Sequence, residues 1–340
     1  FLPGSKMNQI KSHLILLLSA GILLLVVFLL YLKTGYFNTT WEHIFQALTN
    51  PRDEVSSTVV WSFRLPRILM AFLAGAALSV AGMLMQNLFQ NTLAGPDVLG
   101  ITSGSSLLVA LWMMTGITAL GSTTDLIFLG ILGAMGMGAI MLLFALKLRS
   151  AVHLLLIGLM LSSFIGAIIA IIQASSGTQD LQQYVFWNFG SLQRVTIQQI
   201  PWIAIITSLG VVLSLFQVRS LNAMVLGEDI AKSLGVSIRK VRIMSILIAG
   251  ILTGVITAFA GPIAFVGLAI PNVTKLLMKT QNHRVLLFSN ILFGALFLGV
   301  CDFAIKLLES YVAIPLNALT ALLGVPFVSW MILKNRHVTG

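Results

Sequence analysis

The side chains that could perform chemistry are few, and their spacing matches no catalytic or metal-binding motif. The five histidines are scattered along the chain: His13, His43, His153, His283 and His337. None of them belongs to a His-Glu-x-x-His pair, and the sequence contains no phosphate-binding glycine loop. The single cysteine, Cys301, leaves no intrachain disulfide and no thiolate metal site. We therefore expect a chain that catalyses no reaction and holds no metal or cofactor itself.

A short polar interval, residues 219–242, points to binding of another protein rather than to catalysis. Leu226, Ile230 and Leu234 recur every four residues, so they form one apolar stripe on a predicted helix. Gly235 stands where a helix C-cap glycine belongs. The other sides of this helix carry Glu228, Asp229, Lys232 and Ser233. Either the stripe faces a partner, or it packs on the chain's own helices and leaves the polar sides to the partner.

The composition places this interval in a membrane protein. Mean hydropathy is +1.00 and only 9% of residues are charged, whereas soluble domains carry roughly a quarter. The apolar runs reach the ~20 residues that a helix needs to cross the hydrocarbon core. We interpret residues 1–6, before Met7, as a remnant outside the fold, and residues 7–340 as a single transmembrane domain.

Hydropathy and charge together predict ten membrane spans. They cover about residues 14–32, 64–85, 98–114, 125–147, 154–172, 200–216, 241–259, 262–278, 285–305 and 316–333. A short interfacial helix is expected around Tyr184, Phe186 and Trp187, because aromatic side chains favour the headgroup level. With both termini in the cytoplasm, most lysines and arginines fall on the cytoplasmic side, as the positive-inside rule requires. No basic cluster is left over for nucleic acid.

Two segments of the sequence resemble each other and predict an inverted repeat. Residues 75–82 resemble residues 254–261, with glycines at both ends, and residues 94–98 resemble residues 269–273. The offset is five spans, an odd number, so the halves, about 61–174 and 239–336, would have opposite orientation. Repeats of this kind build alternating-access transporters. The polar interval at 219–242 lies at the joint between the halves.

Asp302 is the one clear ionisable candidate inside a predicted span. Such residues usually mark an ion or proton path. It lies near the outer end of the ninth span, however, whereas an ion-coupled carrier would more often hold an acid near the midplane. We therefore expect the energy for transport to come from outside this chain, and keep an ion-coupled secondary transporter as the rival interpretation.

Several motifs in the two halves of the sequence are informative in combination. The first half contributes Arg64-Leu-Pro-Arg-Ile-Leu69, Gly75 to Gln86 and Asn91 to Gly100. The second half contributes Leu226 to Gly235, Ala260 to Pro271, His283-Arg284, Pro315 and Gly324 to Phe327. Across residues 60–336, these motifs together resemble the iron-siderophore/cobalamin (FecCD-type) ABC transporter permease family. The resemblance implies an all-α permease of a type II importer, with a second permease subunit, identical or related. It also implies two cytoplasmic ATPase subunits, which bind ATP and Mg, and an external substrate-binding protein.

The resemblance assigns a docking role to three basic residues. Arg64 and Arg67 match external residues that pair with glutamates on the two lobes of the binding protein. Three residues apart, they share a helix face and can offer bidentate donors to carboxylates. Lys306 takes the place of a third basic residue, usually arginine, and does not reproduce the bidentate fork. The alternative is that the arginines are interfacial anchors.

The resemblance also places two cytoplasmic gates. Asn91 and Leu93 match the first, with Thr92 where the family has proline; a simple polar turn is the alternative. Ser150 and Val152 occupy the second, which would be more apolar than in relatives. Near the eighth span, Asn272 and Lys275 replace the family's usual residues, with no consequence that the sequence reveals. Several methionines could line an adaptable cavity or simply pack: Met83, Met85, Met113, Met114, Met135 and Met137.

The resemblance finally gives the polar interval a partner, the ATPase. The residues expected at this contact are Leu226, Gly227, Glu228, Asp229, Ile230, Lys232, Leu234 and Gly235. The predicted function is import of an iron complex, a ferric siderophore, by alternating access across the plasma membrane of a bacterium. Heme and cobalamin are the alternative substrates.

Overall fold

In the computed structural model, the described part of the chain is helical throughout, without strand, and comprises residues 3–35, 40–49, 55–115, 123–148 and 150–336. The helices are α1 (Pro3–Lys33), α2 (Trp41–Thr49), α3 (Val55–Val59), α4 (Leu65–Leu88), α5 (Ile101–Met114), α6 (Thr123–Lys147), α7 (Ala151–Ser175), α8 (Thr178–Asn188), α9 (Ile200–Met224), α10 (Glu228–Ser233), α11 (Ile238–Ala260), α12 (Val266–Met278), α13 (His283–Leu308) and α14 (Leu316–Arg336). Residues 1 and 2, and His337, lie outside the described residues.

Ten of these elements correspond to the ten predicted spans. Among the described residues, seven helices are long and apolar enough to cross a membrane. Three shorter apolar helices complete the set: Ile101–Met114, Val266–Met278 and Leu316–Met331. The predicted fold class, an all-α polytopic membrane protein, is confirmed. The inverted repeat stays a prediction, although both halves contain a long α-helix, a break in the α-helical backbone and then a short α-helix.

The second span begins earlier than predicted because helical backbone continues ahead of Pro66. Pro66 lies in the first turn of α4, as expected, but a π-helical turn, Val60–Arg64, joins α4 to α3. The Leu65 backbone N–H donates to the Val60 carbonyl, one residue further back than in an α-helix. Proline has no N–H to offer the preceding turn, and a wide turn is one way for a helix to absorb this loss.

Helix α4 forms the core of the bundle and packs against α9, α11, α12 and α13. In the most apolar stretch of this span, 83% of the residues are buried. Close approach depends on glycine. A Cβ on Gly75 would lie 2.0 Å from the Gly294 carbonyl oxygen, and one on Gly82 would lie 1.7 Å from that of Gly267. Small residues allow such backbone contacts between membrane helices. These glycines therefore fix how α4 crosses α13 and α12.

The helices around this core expose much of their apolar surface. In the most apolar stretch of α7 only 11% of the residues are buried, and Met160, Phe164 and Ile171 are each more than half exposed. Four of the six singled-out methionines, Met83, Met85, Met114 and Met137, are instead buried in the core, which confirms the packing alternative for them.

The predicted interfacial helix exists as α8, but two of its aromatic residues do not lie at a surface. Tyr184 and Trp187 are buried and their rings stack, with centroids 6.1 Å apart. Only Phe186 is exposed. Helix α8 packs against α5, and the headgroup-level position expected for these aromatic residues stays a prediction.

Candidate docking, coupling and gate sites

The polar interval is shorter in the structure than in the prediction. Helix α9 continues to Met224 and α11 begins at Ile238, so both ends of residues 219–242 belong to long helices. The short helix between them, α10, covers only Glu228–Ser233, which leaves Leu226 and Leu234 just outside it. Gly227, with φ +103°, forms the N-cap and separates Leu226 from the helix. The prediction of a helix over Leu226 to Leu234 is thus too long.

The predicted C-cap glycine is confirmed. Gly235 has φ +81°, in the left-handed region that glycine adopts without steric cost. Its N–H donates to the Lys232 carbonyl (2.9 Å), and the Val236 N–H donates to the Ala231 carbonyl (3.0 Å). These two bonds form a Schellman motif. It ends α10 sharply and turns the chain into α11.

The apolar stripe of the interval points away from the rest of the chain. Leu226 is 58% exposed, Ile230 50% and Leu234 63%, whereas Ala231 is fully buried and provides the contact with the bundle. The alternative in which the stripe packs on the chain's own helices is therefore wrong. Each of these half-exposed side chains has about 1 kcal/mol to gain from further burial.

One polar residue of α10 turns inward instead. The Glu228 carboxylate accepts from Arg242 Nη2 of α11 at 3.4 Å, and Arg242 Nη1 donates to the Leu148 carbonyl at the end of α6 (2.9 Å). Arg242 is buried. Asp229 and Lys232 form a separate exposed pair at 3.0 Å, a kind that contributes little stability. Glu228 and Arg242 thus tie α10 to α6 and α11.

The three predicted docking residues meet near the N-terminal end of α4. Arg64, Arg67 and Lys306, here called the basic cluster, line a cleft of about 260 Å³. Arg64 is buried and its Nη1 donates to the Leu32 carbonyl (2.6 Å). Lys306 Nζ donates to the Tyr31 carbonyl (2.7 Å) and lies 3.8 Å from the centroid of the Tyr31 ring. These cations are therefore anchored to α1.

Arg67 is held between two carboxylates of the same chain. Its Nε donates to both carboxylate oxygens of Asp302, at 3.0 and 2.9 Å, and Nη1 donates to Glu309 Oε2 at 3.2 Å. The Tyr31 hydroxyl donates to Asp302 Oδ2 at 2.6 Å. Asp302 is only 2% exposed, and a buried carboxylate requires such partners. The single acid noted inside the spans is therefore a structural counter-ion of Arg67.

Glu309 completes this arrangement and was missed from the sequence. It accepts from Gln193 Nε2 at 2.8 Å, and its side chain is 49% exposed. A signal was present, because Asp302, Lys306 and Glu309 follow one another at helical spacings of four and three and so share a face. Arg194 lines a neighbouring cleft of about 550 Å³ and lies outside the spans, and burial lowers the pKa of its guanidinium from the ordinary value.

The predicted first gate is a loop held at one carbonyl. Asn91 Oδ1 accepts from the Leu93 N–H (2.9 Å), which makes a local polar turn, and Leu93 is 45% exposed. The Thr92 carbonyl accepts from Gln86 Nε2 (2.9 Å) and from Asn272 Nδ2 (2.8 Å). We call this loop, residues 89–95, the gate loop.

Two departures from the family pattern gain a physical meaning here. Asn272 of α12 supplies one of the donors to Thr92, and Lys275 Nζ donates to Gln86 Oε1 (2.9 Å), which orients the other donor. Side-chain amides thereby restrain a loop in which the family has proline. At the predicted second gate, Ser150 is the N-cap of α7 and accepts from the His153 N–H (3.4 Å), while Val152 is 62% exposed.

His283 joins the gate loop's helix to the helix before α10. Its Nε2 lies 3.0 Å from Asn87 Nδ2 in the last turn of α4, and its Nδ1 lies 3.0 Å from Asn222 Oδ1 near the end of α9. Asn87 Nδ2 also donates to the Leu221 carbonyl (3.2 Å). Since Nε2 must accept from the amide, the ring is neutral with its proton on Nδ1. Sequence reasoning gave His283 no role.

These features define a class of protein. Apolar helices surround a central helix, a short helix between α9 and α11 presents an apolar stripe at one end, and a basic cluster lies at the other. This is the architecture of a type II ABC importer permease, a transport subunit without catalytic residues of its own. The chain belongs to the FecCD transport family, which matches residues 23–334.

Individual relatives and a solved structure agree with this assignment. The hemin transport system permease protein HmuU of Yersinia pestis is 32% identical over 334 residues, 94% of this chain and 96% of HmuU. The iron(3+)-hydroxamate import system permease protein FhuB of Bacillus subtilis is 33% identical over 309 residues, 89% of this chain and 77% of FhuB. A structure described as an inward-facing conformation of a metal-chelate type ABC transporter has a TM-score of 0.83 and 30% identity, and covers 94% of this chain and 99% of that one.

Proposed function

We propose that this chain is the membrane subunit of an ATP-driven importer that carries a ferric siderophore into a bacterial cytoplasm by alternating access. The family and the iron-hydroxamate relative FhuB support this substrate class, and the similarity to HmuU supports hemin as the second candidate. The observation that carries the proposal is the exposed apolar stripe of Leu226, Ile230 and Leu234, in which Ile230 belongs to the anchored helix α10 and the two leucines flank it.

The partner on this stripe is an ATPase subunit. An exposed apolar surface on the connection between α9 and α11 fits a contact that transmits force. Helix α10 is capped by Gly235 and tied through Glu228 to Arg242, so a push on the stripe moves α9 and α11 rather than bending the connection. His283 and Asn87 extend the path to α4 and its gate loop. ATP and Mg stay on the partner.

Two further surfaces of the chain, the basic cluster and the apolar face of α7, fit the other partners. The basic cluster fits an external binding protein that presents glutamates, because arginine pairs well with carboxylates. The exposed apolar face of α7 fits a second permease subunit, identical or related. The chain spans the plasma membrane with both termini on the cytoplasmic side. In this orientation α10 lies on the cytoplasmic side and the basic cluster on the external side, as an importer requires.

Co-purification tests the coupling assignment. The chain is solubilised together with the ATPase of its transport system, and the ATPase retained after affinity purification is measured. Ile230→Asp places a charge in the centre of the stripe and should abolish retention. Gln281→Asp, which places the same charge at an exposed residue between α12 and α13 and away from the stripe, is the matched control and should retain the ATPase. Equal retention by both variants would show that the stripe is not the contact.

A further inference from the structure

We propose that Glu309 is an intramolecular substitute for the binding protein's carboxylate. It holds Arg67 while no binding protein is docked and has to release it on docking. This inference rests on the proposed docking role of the basic cluster and adds a mechanism to it: docking is an exchange of carboxylates on one guanidinium.

The two carboxylates on Arg67 differ in a way that makes one of them replaceable. Asp302 is 2% exposed, takes the Nε side and is itself bonded to the Tyr31 hydroxyl. Breaking that pair would leave a buried charge without a partner, which is strongly unfavourable. Glu309 is about half exposed and takes Nη1, where water can replace it at little cost. The inner carboxylate fixes the guanidinium, and the outer one can leave.

The position of Glu309 places it where an arriving carboxylate would bind. Arg67 and Glu309 both line the cleft of about 260 Å³ that contains the basic cluster. They also both line a neighbouring cleft of about 550 Å³ that contains Gln193 and Arg194. The Arg67 side chain is 11% exposed and that of Glu309 is 49% exposed, so the part of the pair that is open to a carboxylate arriving from either cleft is mainly Glu309.

The charges around Arg67 favour arrival of another carboxylate and departure of Glu309. Three cations of the basic cluster face two carboxylates, Asp302 and Glu309, so the site still attracts an anion. A further carboxylate on Arg67 Nη1 would lie beside Glu309, and two like charges at such a distance repel. Gln193 holds Glu309 in place by donating to Oε1 at 2.8 Å. Release of Glu309 therefore also breaks its contact with the segment between α8 and α9.

The decisive variant is Glu309→Gln, which keeps the shape of the side chain and removes its charge. Without competition and repulsion, the binding protein should bind about two- to five-fold more tightly, the range of a partly exposed ion pair. The gain should shrink as salt rises, because exposed charges are screened. Glu42→Gln, on the exposed first turn of α2 and outside both clefts, is the matched control and should leave affinity unchanged.

The measurement is the affinity of the soluble binding protein of the same transport system, loaded with a ferric hydroxamate, for the permease–ATPase complex in lipid nanodiscs. Tighter binding by Glu309→Gln alone supports the exchange. Unchanged binding overturns it, and weaker binding overturns it by showing that Glu309 positions Arg67. Arg64→Gln distinguishes failure of the carboxylate exchange from failure of the docking role. If Arg64→Gln leaves the affinity unchanged, docking at the basic cluster is itself wrong, whatever Glu309→Gln does.

Discussion

Asn87 and His283 meet at 3.0 Å in the interior of the bundle, between the last turn of α4 and the first residue of α13. The opposite edge of the imidazole reaches Asn222 of α9 at 3.0 Å. One side chain thus connects the helix that precedes α10 with the helix that precedes the gate loop. Together with the direct Asn87–Leu221 bond, the imidazole forms a polar connection between the proposed ATPase contact and the proposed gate.

We expect His283→Ala to uncouple ATP hydrolysis from uptake. The change removes one partner from each of the Asn87 and Asn222 side chains, which costs about 1–3 kcal/mol, and it removes the imidazole that joins them, leaving the Asn87–Leu221 bond between α4 and α9. ATPase activity should persist while substrate uptake per ATP falls about ten-fold in proteoliposomes. His153→Ala, at an exposed histidine on α7, is the control. An unchanged uptake-to-ATPase ratio in His283→Ala would refute the link.

We expect Asn272→Leu to loosen the gate loop. The substitution keeps the branched shape and the number of heavy atoms of a buried side chain but removes the donor to the Thr92 carbonyl, a loss of about 1 kcal/mol of restraint. Preloaded ferric hydroxamate should leak from proteoliposomes faster than with the unaltered chain when ATP is absent. A leak rate equal to that of the unaltered chain would mean that Asn272 does not restrain the gate.

Stability should depend on the Asp302 site in a graded way. Tyr31→Phe removes one hydrogen bond to a buried carboxylate and should cost about 1–3 kcal/mol. Asp302→Asn should cost more, about 3–5 kcal/mol, because Arg67 then stays buried without its inner counter-ion. Thermal unfolding of the purified chain in detergent checks the order. If Tyr31→Phe were the more damaging of the two, Asp302 would not be the counter-ion of Arg67.

The parts of this fold that depend on local pattern could be predicted from the sequence. Ten apolar segments of suitable length predict ten helices, and the Leu226–Ile230–Leu234 spacing together with Gly235 predicts a short capped helix. The end of α9 could not be found in this way. Hydropathy falls after Phe216, but the helix continues to Met224 because Gln217 is buried and Asn222 bonds to His283. Hydropathy marks where lipid contact ends, not where a helix ends.

The sites were harder to predict because their contacts join distant parts of the chain. Arg67 and Asp302 are 235 residues apart, and Asn87 and His283 are 196 apart. The motifs that single out Arg64 and Arg67 say nothing about which carboxylates surround them. Only the crossing of α4 and α13, set by Gly75 and Gly294, brings these groups together. Glu309 and His283 acquire their roles from that crossing.

The central claim is that a separate ATPase, bound to α10, drives transport through this chain. The most direct measurement is uptake of radiolabelled ferric hydroxamate into proteoliposomes that contain the chain, its permease and ATPase partners and the binding protein. We predict uptake that requires ATP on the α10 side, continues without a proton gradient and is lost in Ile230→Asp. Uptake driven by a proton gradient in the absence of ATP would contradict the account.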